Sequence, residues 1–161
     1  MKTTILIILT FFTVHTFAAP ATKFGIGALL GDPTALSVKS FLNQTTAVDG
    51  GVGYGKHEVI LFGDYLRHFP GRLGRQNGFI AALSPYVGVG PVFAFGTKDK
   101  SHSMIEDDED TFAFGGRIPF GIEWMSQEIP LGVSLELVPG LVVIPETNAL
   151  FQGGLALRYY F

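Results

Sequence analysis

The stretch FAFGGRIPFGIEW, residues 112–124, alternates along most of its length between large apolar side chains and small or charged ones. The even positions carry the large apolar residues Phe112, Phe114, Ile118, Phe120, Ile122 and Trp124. The odd positions carry Ala113, Gly115, Arg117, Pro119, Gly121 and Glu123. Successive side chains of a β-strand point to opposite faces, so the pattern predicts a strand with one apolar face and one face that holds charge.

Alternating segments of this kind run through the rest of the chain, with turn residues between them. The predicted strands are residues 23–30, 35–42, 47–54, 58–67, 79–96, 111–124, 131–144 and 149–161. Segments of roughly ten alternating residues separated by turns are typical of a membrane β-barrel. We therefore predict an all-β fold, namely an eight-stranded antiparallel up-and-down transmembrane β-barrel.

The first residues are typical of a cleaved export signal. A basic residue, Lys2, precedes an apolar run at residues 5–14 and a small-x-small site, Thr16-Phe-Ala18. The apolar run is about half of the roughly 20 residues that a membrane-spanning helix needs. We predict a signal peptide at residues 1–18 and an outer-membrane β-barrel domain at residues 19–161.

Composition further narrows the class of protein to which the chain belongs. The chain has no cysteine, so a lipid-anchored cysteine and a disulfide framework are excluded. A net charge of only -3 argues against a nucleic-acid partner. Aromatic residues are plentiful, with 15 Phe, 5 Tyr and 1 Trp, and mean hydropathy is positive. Contact with lipid through strands accounts for this combination.

The charged residues of the predicted strands fall on the face opposite the large apolar residues. An arginine facing the bilayer midplane costs about 2–4 kcal/mol, so we expect these charges to face the barrel interior. The predicted luminal charges are Lys23, Lys39, Arg117, Arg158, Asp49, Asp64, Glu123 and Glu136. An eight-stranded barrel is just wide enough for side chains to fill. We therefore expect a structural ionic plug, and a narrow ion channel is the alternative.

The chain ends in Leu155-Ala-Leu-Arg-Tyr-Tyr-Phe161, where Tyr159 and Phe161 share the apolar face. A terminal phenylalanine after alternating apolar residues resembles the membrane-insertion signal of bacterial outer-membrane barrels. The resemblance implies recognition of the C-terminal strand by the barrel assembly machinery. It also implies a location in the bacterial outer membrane, among its lipids and lipopolysaccharide.

Several blocks resemble a family of small, largely uncharacterised outer-membrane barrels of proteobacteria and spirochaetes, close in structure to the OmpA membrane domain and OmpX. The blocks are Gly31-Asp-Pro-Thr-Ala-Leu-Ser-Val-Lys39, Asp64-Tyr-Leu-Arg-His68, Arg117-Ile-Pro-Phe-Gly-Ile-Glu123, Glu136-Leu-Val-Pro139 and Gly153-Gly-Leu-Ala-Leu-Arg-Tyr-Tyr-Phe161. The resemblance implies eight strands in the outer membrane. It implies no agreed activity and no catalytic residues.

The segment Thr97–Asp110 is predicted to be the longest outer loop, because an even strand number puts both termini on the periplasmic side. It carries the acidic run Glu106, Asp107, Asp108, Glu109 and Asp110. The run lacks the glycine turn and the offsets of an EF-hand, so we expect a solvated loop without a metal site. An extracellular ligand, or divalent bridging to lipopolysaccharide phosphates, stays open for this loop.

Enzymatic function is the less favoured reading of the same loop. Ser101, His102 and Ser103 stand beside acidic residues, which leaves a lipid A-modifying hydrolase or acyltransferase as an alternative. Neighbouring residues on one loop rarely reach catalytic geometry, so we expect no catalytic residue and no cofactor. We expect a monomeric integral outer-membrane protein with a structural or surface-interaction role. A soluble periplasmic barrel holding an apolar ligand would need the opposite side-chain parity.

Three smaller features complete the sequence-based expectations. Each of Pro91, Pro119 and Pro139 is expected to need a bulge or a strand end, because a closed barrel has no free edge. His57 and His68 are expected to lie at the membrane interface or in turns, at opposite ends of one strand. Arg67, Arg72 and Arg75 are expected to form a basic periplasmic turn, which is either solvated or in contact with anionic headgroups or peptidoglycan.

Overall fold

The computed structural model describes residues 23–55, 58–74, 78–96, 112–126 and 128–161. The predicted signal peptide at residues 1–18 and the predicted outer loop at residues 97–110 lie outside these ranges. In the described part of the chain, no helix combines the length and the apolar composition that crossing a membrane requires.

Strands make up most of the described chain. They are β1 (Phe24–Asp32), β2 (Thr34–Asn43), β3 (Thr46–Tyr54), β4 (Glu58–His68), β5 (Leu83–Gly96), β6 (Phe112–Arg117), β7 (Phe120–Met125), β8 (Leu131–Ile144) and β9 (Asn148–Tyr160). A single helical turn, α1 (Gly78–Ala81), precedes β5. The prediction of a strand from residue 79 was therefore wrong at its start. Residues 79–82 are an unbroken apolar run, and such a run has no period that separates strand from helix.

The strands close into a ring. Each strand pairs in antiparallel fashion with its neighbour in sequence, from β1 to β5, and β8 pairs with β9. The first strand, β1, pairs with the last, β9, which closes the barrel. β6 and β7 both lie between β5 and β8 and act as one barrel strand. The predicted all-β, eight-stranded antiparallel barrel is confirmed.

The break between β6 and β7 falls at Ile118-Pro119 and leaves the register unchanged. On β5, Gly90 pairs with Arg117 and Val87 pairs with Phe120, which is the same register on both sides of the break. The carbonyl oxygen of Pro119 accepts a hydrogen bond from the amide of Gly88 at 2.8 Å. Pro119 has no N–H, so the hydrogen bond that it would donate is the one that this ladder lacks. The odd positions therefore face inward on both sides of the break.

Pro91 and Pro139 each stay in an unshifted ladder on one side only. Pro91 pairs with Gly116 on β6, and Pro139 pairs with Phe151 on β9. On the other side the β4–β5 ladder skips residues 90–91 of β5, and residues 138–139 of β8 lie in neither the β6 nor the β7 ladder, again without a register shift. The expectation of a bulge or strand end was met by Pro119 and was wrong for these two. The carbonyl of Pro139 accepts the amide of Ile118 at 2.8 Å, so the ladder loses a donor without losing its register. The irregularity in β8 lies farther on, opposite residues 114 and 115.

The barrel interior holds two clusters of buried apolar side chains. The end that holds Lys23 and Phe161 is here the proximal end, and the end of the β1–β2 turn is the distal end. A distal cluster of buried apolar residues comprises Leu29, Ala35, Ile60, Phe62, Val92, Ala94, Ala113, Val142 and Ala156. A proximal cluster comprises Ala47, Leu66 and Tyr86, with Phe41 packed against it. Along β4 the inward side chains run Phe62, Asp64, Leu66, so on this strand a charged residue separates the two clusters.

Candidate functional site

Charged side chains occupy the middle of the barrel interior. Lys39, Arg117, Arg158 and Glu123 are each 2 % exposed or less, and Asp49, Asp64 and Glu136 are also buried. These are seven of the eight predicted luminal charges, and they come from β2, β3, β4, β6, β7, β8 and β9. We call the seven residues the ionic network.

Arg117 is held most tightly. Its Nε lies 3.0 and 3.1 Å from the two carboxylate oxygens of Asp64, and its Nη2 lies 2.7 Å from Asp64 Oδ2. Its Nη1 donates to Gln152 Oε1 at 3.3 Å, and its guanidinium carbon lies 4.0 Å from the centre of the Phe62 ring. A planar guanidinium fits this forked geometry, which an ammonium group does not reproduce.

Arg158 connects strands on both sides of β9. Its Nε donates to Ser37 Oγ at 2.9 Å, and its Nη1 donates to Ser134 Oγ at 3.0 Å. Its Nη2 lies 3.2 Å from Asp49 Oδ2 and 3.7 Å from Glu136 Oε1. One guanidinium thus bonds two hydroxyls and stands between two carboxylates.

Lys39 and Glu123 form the third centre of the network. Lys39 Nζ lies 2.9 Å from Glu123 Oε2 and 4.5 Å from the centre of the Tyr86 ring. The hydroxyl of Tyr160 donates to Glu123 Oε1 at 2.5 Å. The hydroxyl of Tyr86 donates to Glu136 Oε1 at 2.6 Å. Hydroxyl donors therefore supplement the cations, as burial of carboxylates requires.

The sequence reasoning missed the neutral partners of these charges. They are Ser37, Tyr86, Ser134, Gln152 and Tyr160, all buried. Each lies on the inward parity of its strand, so the same alternation that identified the charges was a sufficient signal. Tyr160 needs space on both sides. A Cβ added at Gly25 or Gly132 would approach its ring to 2.6 and 2.7 Å, so these two glycines provide that space.

His68 and Lys23 correct two predictions. His68 is buried at the proximal end of β4, with its ring centre 5.0 Å from that of Phe41 and 4.8 Å from that of Tyr86. It is not an interface or turn residue, because position 68 continues the inward parity of Asp64. Lys23 is exposed and precedes β1, so it is outside the ionic network. The alternation of side chains assigns a residue to a face of a strand, but it does not show where the strand begins.

The other predicted sites are spread over the surface or lie outside the described residues. Tyr159 and Phe161 are 47 % and 74 % exposed, and their ring centres are 5.0 Å apart. Arg67 donates to Thr46 Oγ1 at 3.2 Å, and Arg72 is exposed. The acidic run at 106–110, the Ser101-His-Ser103 segment, His57 and Arg75 are not in the described ranges. Within those ranges, no three His, Cys, Asp or Glu side chains are placed to hold a metal ion.

Comparison with known proteins gives a family and a fold. The family described as "Protein of unknown function (DUF3996)" matches residues 18–159. No curated protein matches the chain. The N-terminal β-barrel domain of Pseudomonas aeruginosa OprF, a crystal structure, is similar with a TM-score of 0.62 and 18% sequence identity. That match covers 87% of this chain and 96% of the OprF domain. At this identity the likeness concerns the fold, which agrees with the ring of strands described above.

Proposed function

We propose that this chain, which belongs to the family described as "Protein of unknown function (DUF3996)", is an integral outer-membrane β-barrel protein with a structural or surface-interaction role. In this proposal the ionic network is a plug that holds the barrel together and closes its lumen. The observation that carries it is the direction of the side chains, with charge inside and large apolar residues outside.

The outer surface of the described strands supports insertion into lipid. Exposed charged residues occur on these strands at Asp32, which ends β1, and at Arg67, next to the end of β4. Both therefore lie near a rim, where water and headgroups would meet them. Between the rims the surface is apolar, with exposed side chains such as Leu36, Val52, Leu61, Val89, Leu135 and Leu157.

Strand length supports the same conclusion. A transmembrane strand needs about 9–11 tilted residues. β1 and β3 have 9 residues, β4 has 11, and β8 has 14. A soluble barrel that carries an apolar ligand would instead put apolar side chains inward and charge outward. The predicted export signal and the exposed Tyr159 and Phe161 of the last strand support the outer membrane as the location.

The pairing of the buried charges supports a closed lumen rather than an ion channel. The distal cluster contains only apolar side chains, whereas Tyr86 of the proximal cluster contacts Lys39 and donates to Glu136. Ions would have to pass the distal cluster and displace the Arg117–Asp64 and Lys39–Glu123 pairs. Charge in a conducting pore lines a water path, whereas these charges bond each other.

The external role stays a prediction. The long segment between β5 and β6 leaves the distal end of the barrel, because β5 ends at Gly96 and β6 begins at Phe112 there. In the proposed orientation this end faces outside the cell. The acidic run at residues 106–110 would then meet an extracellular ligand, lipopolysaccharide or solvent. A lipid-modifying activity of Ser101, His102 or Ser103 is the enzymatic alternative.

The single tryptophan provides a direct test of membrane insertion. Trp124 lies on the outward parity of β7, near Phe79. The folded protein should fractionate with outer membranes, and its fluorescence in vesicles should be quenched by lipids with brominated acyl chains. Urea-unfolded protein mixed with the same vesicles is the control. Recovery in the soluble periplasmic fraction, with no quenching beyond the control, would contradict the proposal.

A further inference from the structure

The ionic network contains unequal numbers of positive and negative groups. Its cations are Lys39, Arg117 and Arg158, and its carboxylates are Asp49, Asp64, Glu123 and Glu136. A further buried carboxylate, Glu58, begins β4 at the distal rim, beyond Ile60 and Phe62, and is not one of the seven residues of the network. Three cations therefore face four acidic groups. A buried charge without compensation is strongly unfavourable, so the fourth acid needs another neutralising partner.

Three of the four carboxylates have partners that suit the ionised form. Asp64 holds Arg117 through three short contacts, and Glu123 receives Lys39 on one oxygen and Tyr160 on the other. Glu136 accepts the hydroxyl of Tyr86 and lies beside Arg158. Charge-assisted contacts of this kind favour a carboxylate over a carboxylic acid.

Asp49 differs from these three. Its Oδ2 takes one bond from Arg158 at 3.2 Å, whereas its Oδ1 is buried with no hydrogen-bond partner among the described residues. Its direct cross-strand neighbours are Lys39 on β2 and Asp64 on β4. Lys39 forms its ion pair with Glu123. The neighbour of Asp49 on β4, Asp64, is a second carboxylate.

His68 is the other group able to carry a compensating proton, and its surroundings disfavour the charged form. Its Nε2 is 3.8 Å from Glu123 Oε2, too far for a hydrogen bond, and that oxygen already binds Lys39. Lys39 also lies over the ring of Tyr86, against which His68 packs. A protonated His68 would therefore be a second cation close to the Lys39 ammonium, and the two positive charges would repel each other.

We propose that Asp49 holds a proton on Oδ1 in the folded barrel at neutral pH, which makes the ionic network electrically neutral. Three ion pairs then remain, Lys39–Glu123, Arg117–Asp64 and Arg158–Glu136. Asp64 is the cross-strand neighbour of Asp49 on β4, and its carboxylate is able to accept a hydrogen bond from the Asp49 O–H. The unfolded chain does not hold this proton, because a solvated aspartate is ionised at neutral pH. The site depends on the folded barrel and not on where the barrel resides.

The proposal has a clear consequence for the dependence of stability on pH. The folded state binds one more proton than the unfolded state between the pH at which a solvated aspartate ionises and the pH at which Asp49 ionises in the barrel. Stability therefore falls as pH rises through this window, and the fall ends once Asp49 is ionised in both states. Asp49→Asn keeps the shape of the protonated acid and removes the titration. This variant should match or exceed the wild type in unfolding midpoint at neutral pH. Its advantage should grow as pH rises and level off once Asp49 ionises in the folded wild type.

Infrared spectroscopy and thermal unfolding of the full-length folded protein test the proton directly. The wild type should show a carbonyl band of a protonated carboxyl group at neutral pH, and this band should be lost on alkalinisation. The band should be missing in Asp49→Asn and retained in Glu146→Gln, a substitution at an exposed carboxylate outside the ionic network. Asp64→Asn, at the neighbouring position, is the matched control for stability, and it should lower the unfolding midpoint because it removes the partner of Arg117.

Three results would overturn the proposal. One is a wild-type protein without a carboxylic acid band at neutral pH. Another is an Asp49→Asn variant that keeps the full band, or that loses as much stability as Asp64→Asn. The last is a stability that changes when sodium is replaced by a bulky organic cation, since a metal ion and not a proton would then neutralise Asp49.

Discussion

Arg117 and Asp64, 53 positions apart in the sequence, form a forked ion pair across the barrel interior. They lie on β6 and β4, and β5 runs between these strands with Gly90 directly opposite Arg117. A Cβ at position 90 would meet Asp64 Oδ1 and the carbonyl oxygen of Gly63. The missing side chain on β5 is therefore what allows the two charged groups to meet.

Removal of Arg117 should be costly. Arg117→Ala leaves the Asp64 carboxylate buried without its cation, so the free energy of unfolding should fall by about 3–5 kcal/mol. The geometry gives Asp64 as the partner of Arg117. Adding Asp64→Ala should recover part of the loss, measured by urea unfolding in a double-mutant cycle. Arg72→Ala, at an exposed site, is the control, and strictly additive losses would mean that the two residues do not interact.

Gly90→Ala tests the space over β5. The added methyl group displaces Asp64 or the backbone of Gly63, and such overpacking typically costs about 1–3 kcal/mol. The control is Gly116→Ala on the neighbouring strand, where no atom lies within 4 Å of the added Cβ. Thermal unfolding should separate the two variants. Equal midpoints would contradict the role given to Gly90.

Two adjacent tyrosines form a matched pair of sites. Tyr160 is buried and donates to Glu123, whereas Tyr159 is exposed on the opposite face of β9. Tyr160→Phe removes a donor from a buried carboxylate, which should destabilise the barrel by about 1–3 kcal/mol. Tyr159→Phe should have little effect. A larger loss for Tyr159→Phe in denaturant titrations would show that the hydroxyl of Tyr160 contributes little.

A closed barrel should resist detergent until it is heated. Its backbone groups are paired around the whole ring, so no edge strand offers a start for unfolding. Boiled and unboiled samples in SDS should therefore migrate at different positions on a gel. If the mobility is the same in both samples, the protein lacks the stability expected of an inserted barrel.

The purified protein should not conduct ions. In planar bilayers we expect no stable, reproducible conductance steps at neutral pH, because the luminal charges are buried and paired with each other. Erratic currents would be checked against heat-denatured protein. Regular openings whose ion selectivity changes in Glu136→Gln or Arg158→Gln would establish a channel, since charge in a pore sets selectivity.

The sequence by itself determined which side chains face inward. Strand side chains alternate with period two, so a charge at Arg117 or Glu123 identifies its face wherever the strand is placed. The same rule held across Pro119, because the break there keeps the register. It was sufficient for seven of the eight predicted charges, and it failed at Lys23, where the strand had not yet begun.

Only the tertiary structure decided which charges pair. Asp64 meets Arg117, and Glu123 meets Lys39, through contacts between strands that are distant in sequence. Such contacts depend on the stagger of the strands around the closed ring, which local alternation does not encode. The same stagger leaves Asp49 Oδ1 without a hydrogen-bond partner among the described residues. Local periodicity gives the face of each residue, and ring closure gives its partner.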